Sequence, residues 1–214
     1  MANRRINGEL TATGDQKAIR GRKHDETAVP RFPVKCYSEF GEDRWIMENL
    51  SLPDTGTYVD VGCAHPVKFS NTAFLRDRGW TGLAVDANPT WAEHWQTPFV
   101  TAILSAQPVV RFQFRDNPAL SRLHPEGVAY AAVTLDQMLK AHDIDAVDFL
   151  SLDLEGAEFD VIKTLDWACY RPGIIIAEHN TEGLDPDYRL RDFLLLRGYR
   201  VAHETFANLI YVRE

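Results

Sequence analysis

From Tyr37 onward the chain alternates short apolar runs with amphipathic stretches, and this rhythm predicts most of its elements. SEFGEDRWIMENL reads as a helix, with Ser38 as a candidate cap and Trp45, Ile46 and Leu50 on one face. Strands are expected near 57–62, 82–87, 99–104, 147–153 and 173–178, and helices near 70–78, 90–96, 134–142, 156–166 and 187–197. The last helix carries Leu190, Phe193 and Leu194 at helical spacing, and Gly198 stands where a C-terminal cap belongs. YRVAHETF and ANLIYVRE form an expected antiparallel hairpin that turns near Phe206–Asn208. Strands that alternate with helices imply an α/β fold, a parallel sheet covered on both faces. Within 106–133, VVRFQF alternates like an extra strand and NPALSRLHPEG reads as a loop.

Residues 1–30 break the rhythm. They show no apolar periodicity and carry six Lys and Arg against four acids. They are expected to form a polar tail, with 31–214 as one domain. A length of 214 residues suits one good core.

Composition narrows the class. Hydrophobic residues make up 45% of the chain and charged residues 25%, as in ordinary globular domains. The net charge of −8 argues against a broad nucleic-acid surface. Cys36, Cys63 and Cys169 are scattered and odd in number, so a reducing, cytoplasmic setting is expected rather than a disulfide framework. No run approaches the roughly 20 apolar residues of a membrane span, and no signal peptide is expected. A homo-oligomer remains open.

Two strand ends carry acids: YVDVG ends at Asp60 and Gly62, and GLAVD ends at Asp86. In open parallel sheets the ligand crevice lies outside these carboxyl ends. A carboxylate at the end of the second strand accepts both hydroxyls of an adenosine-type ribose. Gly62 leaves room for close approach to the turn. Cys63-Ala64-His65-Pro66 follows Gly62 instead of a glycine-rich pyrophosphate loop, which argues against a nicotinamide dehydrogenase. His65 reads as a polar loop residue, and Ser70 as a cap for the next helix.

The densest acidic group is LSLDLEGAE, with Asp153, Glu155 and Glu158; the neighbouring strand ends in Glu178-His179-Asn180. His179, or a carboxylate of raised pKa, can take a proton from a hydroxyl. The same cluster offers a divalent-cation site built from Asp153, Glu178 and His179, although no strict metal spacing is present. A purely structural role is the third reading.

YSEFGEDRWI, YVDVGCAHPVKFSNTAFL, GWTGLAVDANP, VDFLSLDLEGAEFDVIKTLD and RPGIIIAEHN occur in an order that resembles the FkbM family of S-adenosylmethionine-dependent methyltransferases. The resemblance implies a class I, Rossmann-like methyltransferase fold with a seven-stranded, mostly parallel sheet and a terminal antiparallel hairpin. It also implies O-methylation of a sugar, glycan or small metabolite. Through it, Ser38, Asp60, Gly62, Asn71, Asp86, Ala87, Ser105 and Asp153 become candidate contacts to S-adenosylmethionine. Glu39 stands where the family usually has Gln. His179, Asp153 and Glu155 are the catalytic candidates, with a divalent metal left open. The competing reading is a non-catalytic S-adenosylmethionine-binding module that partners another enzyme.

Overall fold

The computed structural model describes residues 35–180 and 186–214. The expected tail, 1–30, lies outside them. Ten strands are described: β1 (Thr57–Val61), β2 (Thr81–Asp86), β3 (Phe99–Thr101), β4 (Val109–Gln113), β5 (Arg122–Leu123), β6 (Val128–Ala131), β7 (Phe149–Leu152), β8 (Ile174–Glu178), β9 (Tyr199–Glu204) and β10 (Asn208–Arg213). The α-helices are α1 (Glu42–Asn49), α2 (Ala73–Asp77), α3 (Leu135–Ala141), α4 (Glu158–Ile162) and α5 (Arg189–Leu195).

Seven strands form one sheet in the order β3-β2-β1-β7-β8-β10-β9. The pairs β2–β3, β1–β2, β1–β7 and β7–β8 are parallel, while β10 runs antiparallel to both β8 and β9. This is an α/β fold with a mostly parallel sheet and a closing hairpin. The central strands are buried on both faces, which is why they read as continuous apolar runs.

Alternation along the strands sorts side chains between two layers. Tyr58, Phe149, Ile174, Ile176 and Ile210 pack with Ile46 of α1 and with Phe74 and Leu75 of α2. Val59, Leu150, Ile175, Ala177 and Leu209 pack with side chains of α3, α4 and α5. This two-sided arrangement fixes where each strand-end residue points.

Several boundaries differ from the expected ones. Gly41, at φ 81°, takes the N-cap position of α1, and the Ser38 hydroxyl accepts from the Asp43 amide of its first turn from three residues further back. Residues 89–94 form a 3-10 helix opened by Pro89, with the Asn88 side chain accepting from the Thr90 amide. The expected helix over 156–166 shortens to α4, because the backbone tightens at Thr164 and Leu165 to bonds with Val161 and Ile162. α3 starts on a capping box between Thr134 and Gln137. Gly198 follows α5 at φ 79°, as its cap position predicts.

The extra strand at VVRFQF is β4. It is the centre of a separate antiparallel sheet, β5-β4-β6, which the sequence pattern did not reveal. NPALSRLHPEG is not wholly loop: it holds a 3-10 turn at Pro118–Leu120 and β5.

Candidate active site

The carboxyl ends of β2, β1, β7 and β8 bring Asp86, Asp60, Asp153 and Glu178 to one edge of the sheet. Two adjoining cavities open there. The first is a narrow slot of about 80 Å³, walled by Val85, Ile103, Leu104, Phe112 and Leu123 and reached by Asp86 and Ala87. The second is a polar cleft of about 500 Å³. Gly62, Ala64, Ala119, Asp153 and Glu155 line both, so slot and cleft adjoin. Phe112 and Leu123 come from the second sheet, which therefore closes one side of the slot.

Asp86 sits at the slot with its carboxylate already oriented. One oxygen accepts from the Ala64 amide at 3.0 Å and the other from the Asn88 amide at 2.8 Å. The Ala87 amide is a third backbone donor to this carboxylate, and of its four acceptor positions at least one is left for a ligand hydroxyl. Burial raises the Asp86 pKa, and the backbone amides of Asn88, Ala64 and Ala87 work against that rise.

Asp60 is placed differently. It is buried, accepts from the Thr72 hydroxyl at 2.6 Å, and lines neither cavity. Arg76 donates to the same Thr72 oxygen at 2.8 Å. The Asp60–Thr72–Arg76 chain fixes the turn after β1 rather than facing a ligand directly. Gly62 lines both cavities, at φ 75°. The space beside its α-carbon is filled by the Asp153 carbonyl oxygen, so its missing side chain admits β7 rather than a ligand.

Ser38 and Ser105 are spent on their own turns. The Ser38 hydroxyl donates to Asp43 at 2.6 Å and accepts from the Asp43 amide. The Ser105 hydroxyl accepts from the Gln107 amide at 3.0 Å. Neither lines the slot or the cleft; Ile103 and Leu104 stand at the slot instead of Ser105. Asn71 does line the cleft, and the Ser70 hydroxyl accepts from the Thr72 and Ala73 amides at the start of α2.

Around Asp153, which lines both slot and cleft, the acids converge. Carboxylate oxygens of Asp153, Glu158 and Glu178 lie within 4.8 Å of one another. Asp153 is exposed among these acids, and its carboxyl is pushed up by desolvation within the cluster and by the charges of Glu178, Glu158 and Glu155, of which the neighbouring charges are the firmer cause. Glu158 is pushed up to about 8, mainly by burial. One of its oxygens accepts from the Leu154 amide at 2.6 Å and the Gly156 amide at 3.3 Å. Glu155, held at φ 54°, lines both cavities.

His179 is not brought to this cluster. Glu178 and Asn180 line the cleft, while His179, between them, follows Ile175 and Ala177 toward the opposite layer. There it is buried, with its ring 5.5 Å from that of Tyr188 and its Nε2 3.7 Å from Glu204. The expected grouping of Asp153, Glu178 and His179 is corrected accordingly: the third member is Glu158.

Other cleft residues escaped sequence reading. Glu42 is fully buried and accepts from the Asn208 amide and the Thr205 hydroxyl, each at 2.8 Å. Asn208, the register partner of Glu178, lines the cleft with Phe40 and Phe206, whose rings are 5.5 Å apart. Contacts across more than 160 positions leave no local signal. Trp91 reaches the cleft, whereas Trp80 and Trp95 are buried packing residues.

The arrangement is a strand-end crevice with one apolar slot and one acidic cleft, in a domain of the Rossmann-like kind. The sequence profile described as "Methyltransferase FkbM domain" matches residues 60–201, well over half of the chain. The chain belongs to the FkbM methyltransferase family. A comparison with curated proteins finds no match. Among the described residues no helix is long and apolar enough to cross a membrane.

Proposed function

We propose that this domain is a class I methyltransferase that uses S-adenosylmethionine to methylate a hydroxyl oxygen of a sugar, glycan or small metabolite. The observation that carries the reading is the adjacency of slot and cleft at the strand ends, with Asp86 at the slot and Asp153, a member of the carboxylate cluster, lining both. The strand order and the antiparallel β10 support the class I assignment.

The residues present suit that cofactor. The apolar slot walls offer contact to an adenine ring, and the Asp86 carboxylate stands beside them as an acceptor for a ribose hydroxyl. Asp153 and Glu155 stand where slot and cleft meet and supply negative charge to a cationic ligand. Bound there, S-adenosylmethionine supplies a methyl group on a positively charged sulfur.

The chain's own work is to orient the acceptor, shed water and receive a proton. Asp153 and Glu178 face the cleft and are the groups placed to take the hydroxyl proton. Asp153 lines both slot and cleft and Glu178 the cleft alone, so Asp153 is the better placed of the two. Most of the rate would come from holding donor and acceptor in line. The three cysteines are free, which accords with a cytoplasmic setting.

The test is incubation of the full chain with labelled S-adenosylmethionine and a panel of hydroxyl-bearing sugars and metabolites. Transfer of one methyl group to an oxygen of one compound supports the reading. Transfer to nitrogen or carbon instead overturns the hydroxyl assignment.

A further inference from the structure

Three exposed phenylalanines share the cleft. Phe40 precedes α1, Phe69 lies between β1 and α2, and Phe206 is in the turn between β9 and β10. They are 41%, 56% and 72% exposed, and all three line the cleft. A single exposed apolar side chain is ordinary on a protein surface. Three from separate segments on one concavity form the kind of patch that binds a partner molecule.

The backbone fixes each of them. Glu42, fully buried, accepts from the Phe40 amide at 3.1 Å and from the Thr205 hydroxyl and the Asn208 side-chain amide at 2.8 Å each. One carboxylate therefore ties together the two segments that carry Phe40 and Phe206, whose rings stand 5.5 Å apart. The Asn208 backbone amide closes the turn by donating to the Thr205 hydroxyl at 3.0 Å. Phe69 takes φ 61°, a left-handed conformation that few bulky residues adopt. Ser70, next in the chain, is buried and accepts from the Thr72 and Ala73 amides. Rings as exposed as these add little to folding stability, so packing does not account for their display.

The cleft thus joins two chemistries. Asp153 and Glu178 line it from the ends of β7 and β8, while the phenylalanines come from connecting segments. In an open sheet the strand ends form the base of the crevice and the connections its walls. At about 500 Å³ the cleft has the size of a small-molecule site. A free monosaccharide would use the polar groups and leave the rings in water. An alcohol that carries an apolar group uses both.

We propose that the methyl acceptor is an amphiphilic alcohol, whose alkyl or aryl part packs on Phe40, Phe69 and Phe206 while its hydroxyl reaches the acids at the strand ends. This rests on the methyl-transfer reading above and names the acceptor class within it.

Paired acceptors, given to the full chain with labelled S-adenosylmethionine, test it. Each pair shares a hydroxyl-bearing head and differs in its apolar part: methyl against octyl and phenyl glycosides of the same sugars, and glycerol against its monooctyl ether. The apolar member should show a kcat/KM roughly 10- to 100-fold higher, the effect of two or three buried methylene groups. Phe40→Ser combined with Phe206→Ser should cut that preference by roughly threefold or more, mainly through KM. Adding Phe69→Gly, which suits the left-handed backbone, should cut it further. Calorimetry with S-adenosylhomocysteine should give the double variant the affinity of the wild type. Loss of that affinity would assign the rings to the cofactor and overturn the inference. Equal turnover of both members of each pair by the wild type, or an undiminished preference in the double variant, overturns the inference alone. A wild type that methylates no hydroxyl of either kind overturns the methyl-transfer reading and this inference with it.

Discussion

A Cβ added to Gly62 would fall 1.6 Å from the backbone carbonyl oxygen of Asp153. β1 and β7 come together at this point in the crevice, and Asp153 itself sits where slot and cleft meet. The close approach of the two strand ends, rather than any ligand, makes glycine necessary here. Its left-handed backbone, at φ 75°, adds a second penalty for any other residue.

Gly62→Ala should therefore destabilise the fold by at least about 2–3 kcal/mol, the scale of a core overpacking that the backbone must absorb. In a chain of this size each kcal/mol corresponds to a fall in Tm of roughly 2–4 °C. Thermal and urea denaturation measure the change. An unchanged midpoint would show that β7 can yield without cost.

Glu158 predicts a pH dependence of stability. Its pKa rises from an ordinary 4.5 to about 8 in the folded chain. Between those values the folded state binds more protons than the unfolded state, so stability falls as pH rises. The contribution is fully present below about pH 4.5 and lost as pH passes about 8. Glu158→Gln keeps an oxygen to accept the Leu154 and Gly156 amides and removes the buried charge. The variant should melt above the wild type at pH 8, and the gap should shrink toward pH 5. A variant less stable than wild type at pH 8 would mean that the ionised carboxylate is held by compensating partners.

The proton acceptor should be a carboxylate of the cleft. Asp153→Asn and Glu178→Gln should each lower turnover, the larger effect reaching roughly 10²–10⁴-fold, the usual scale for loss of a general base. His179→Phe, on the other layer of the sheet, should leave turnover within about threefold of wild type. A reversal, with the His179 variant inactive and both carboxylate variants active, would return the base role to the imidazole.

Legibility in the sequence follows from how local each cause is. β1, β2, β7 and β8 were readable because strands buried on both faces show as apolar runs between turns, and the hairpin showed through its paired alternation. The sheet β5-β4-β6 stayed hidden because β5 has two residues and gains its identity only by pairing with β4. Asp86 was legible as a strand-end acid at the crevice; Asp60, two residues before Gly62, was not legible as a buried partner of Thr72. The misplacement of His179 at the cluster has a simple origin. Side chains flip faces at every residue of a strand, so naming the strand end to within one residue leaves the pointing direction open. Glu42 and Asn208 meet only because α1 packs beside β10, a tertiary fact with no mark in either segment.

The central claim is that the slot beside Asp86 holds the adenosine part of S-adenosylmethionine. Calorimetry with S-adenosylhomocysteine, on wild type and on a folded Asp86→Ala variant, tests it most directly. The account predicts saturable binding to the wild type, weaker in the variant by roughly 1.5–3 kcal/mol, the scale of hydrogen bonds to a charged group. NAD and NADP should show no specific binding, because the Gly62–Pro66 turn offers no glycine-rich pyrophosphate cradle. Unchanged affinity in the variant would remove Asp86 from the site, and saturable micromolar binding of NAD in place of S-adenosylhomocysteine would contradict the account as a whole.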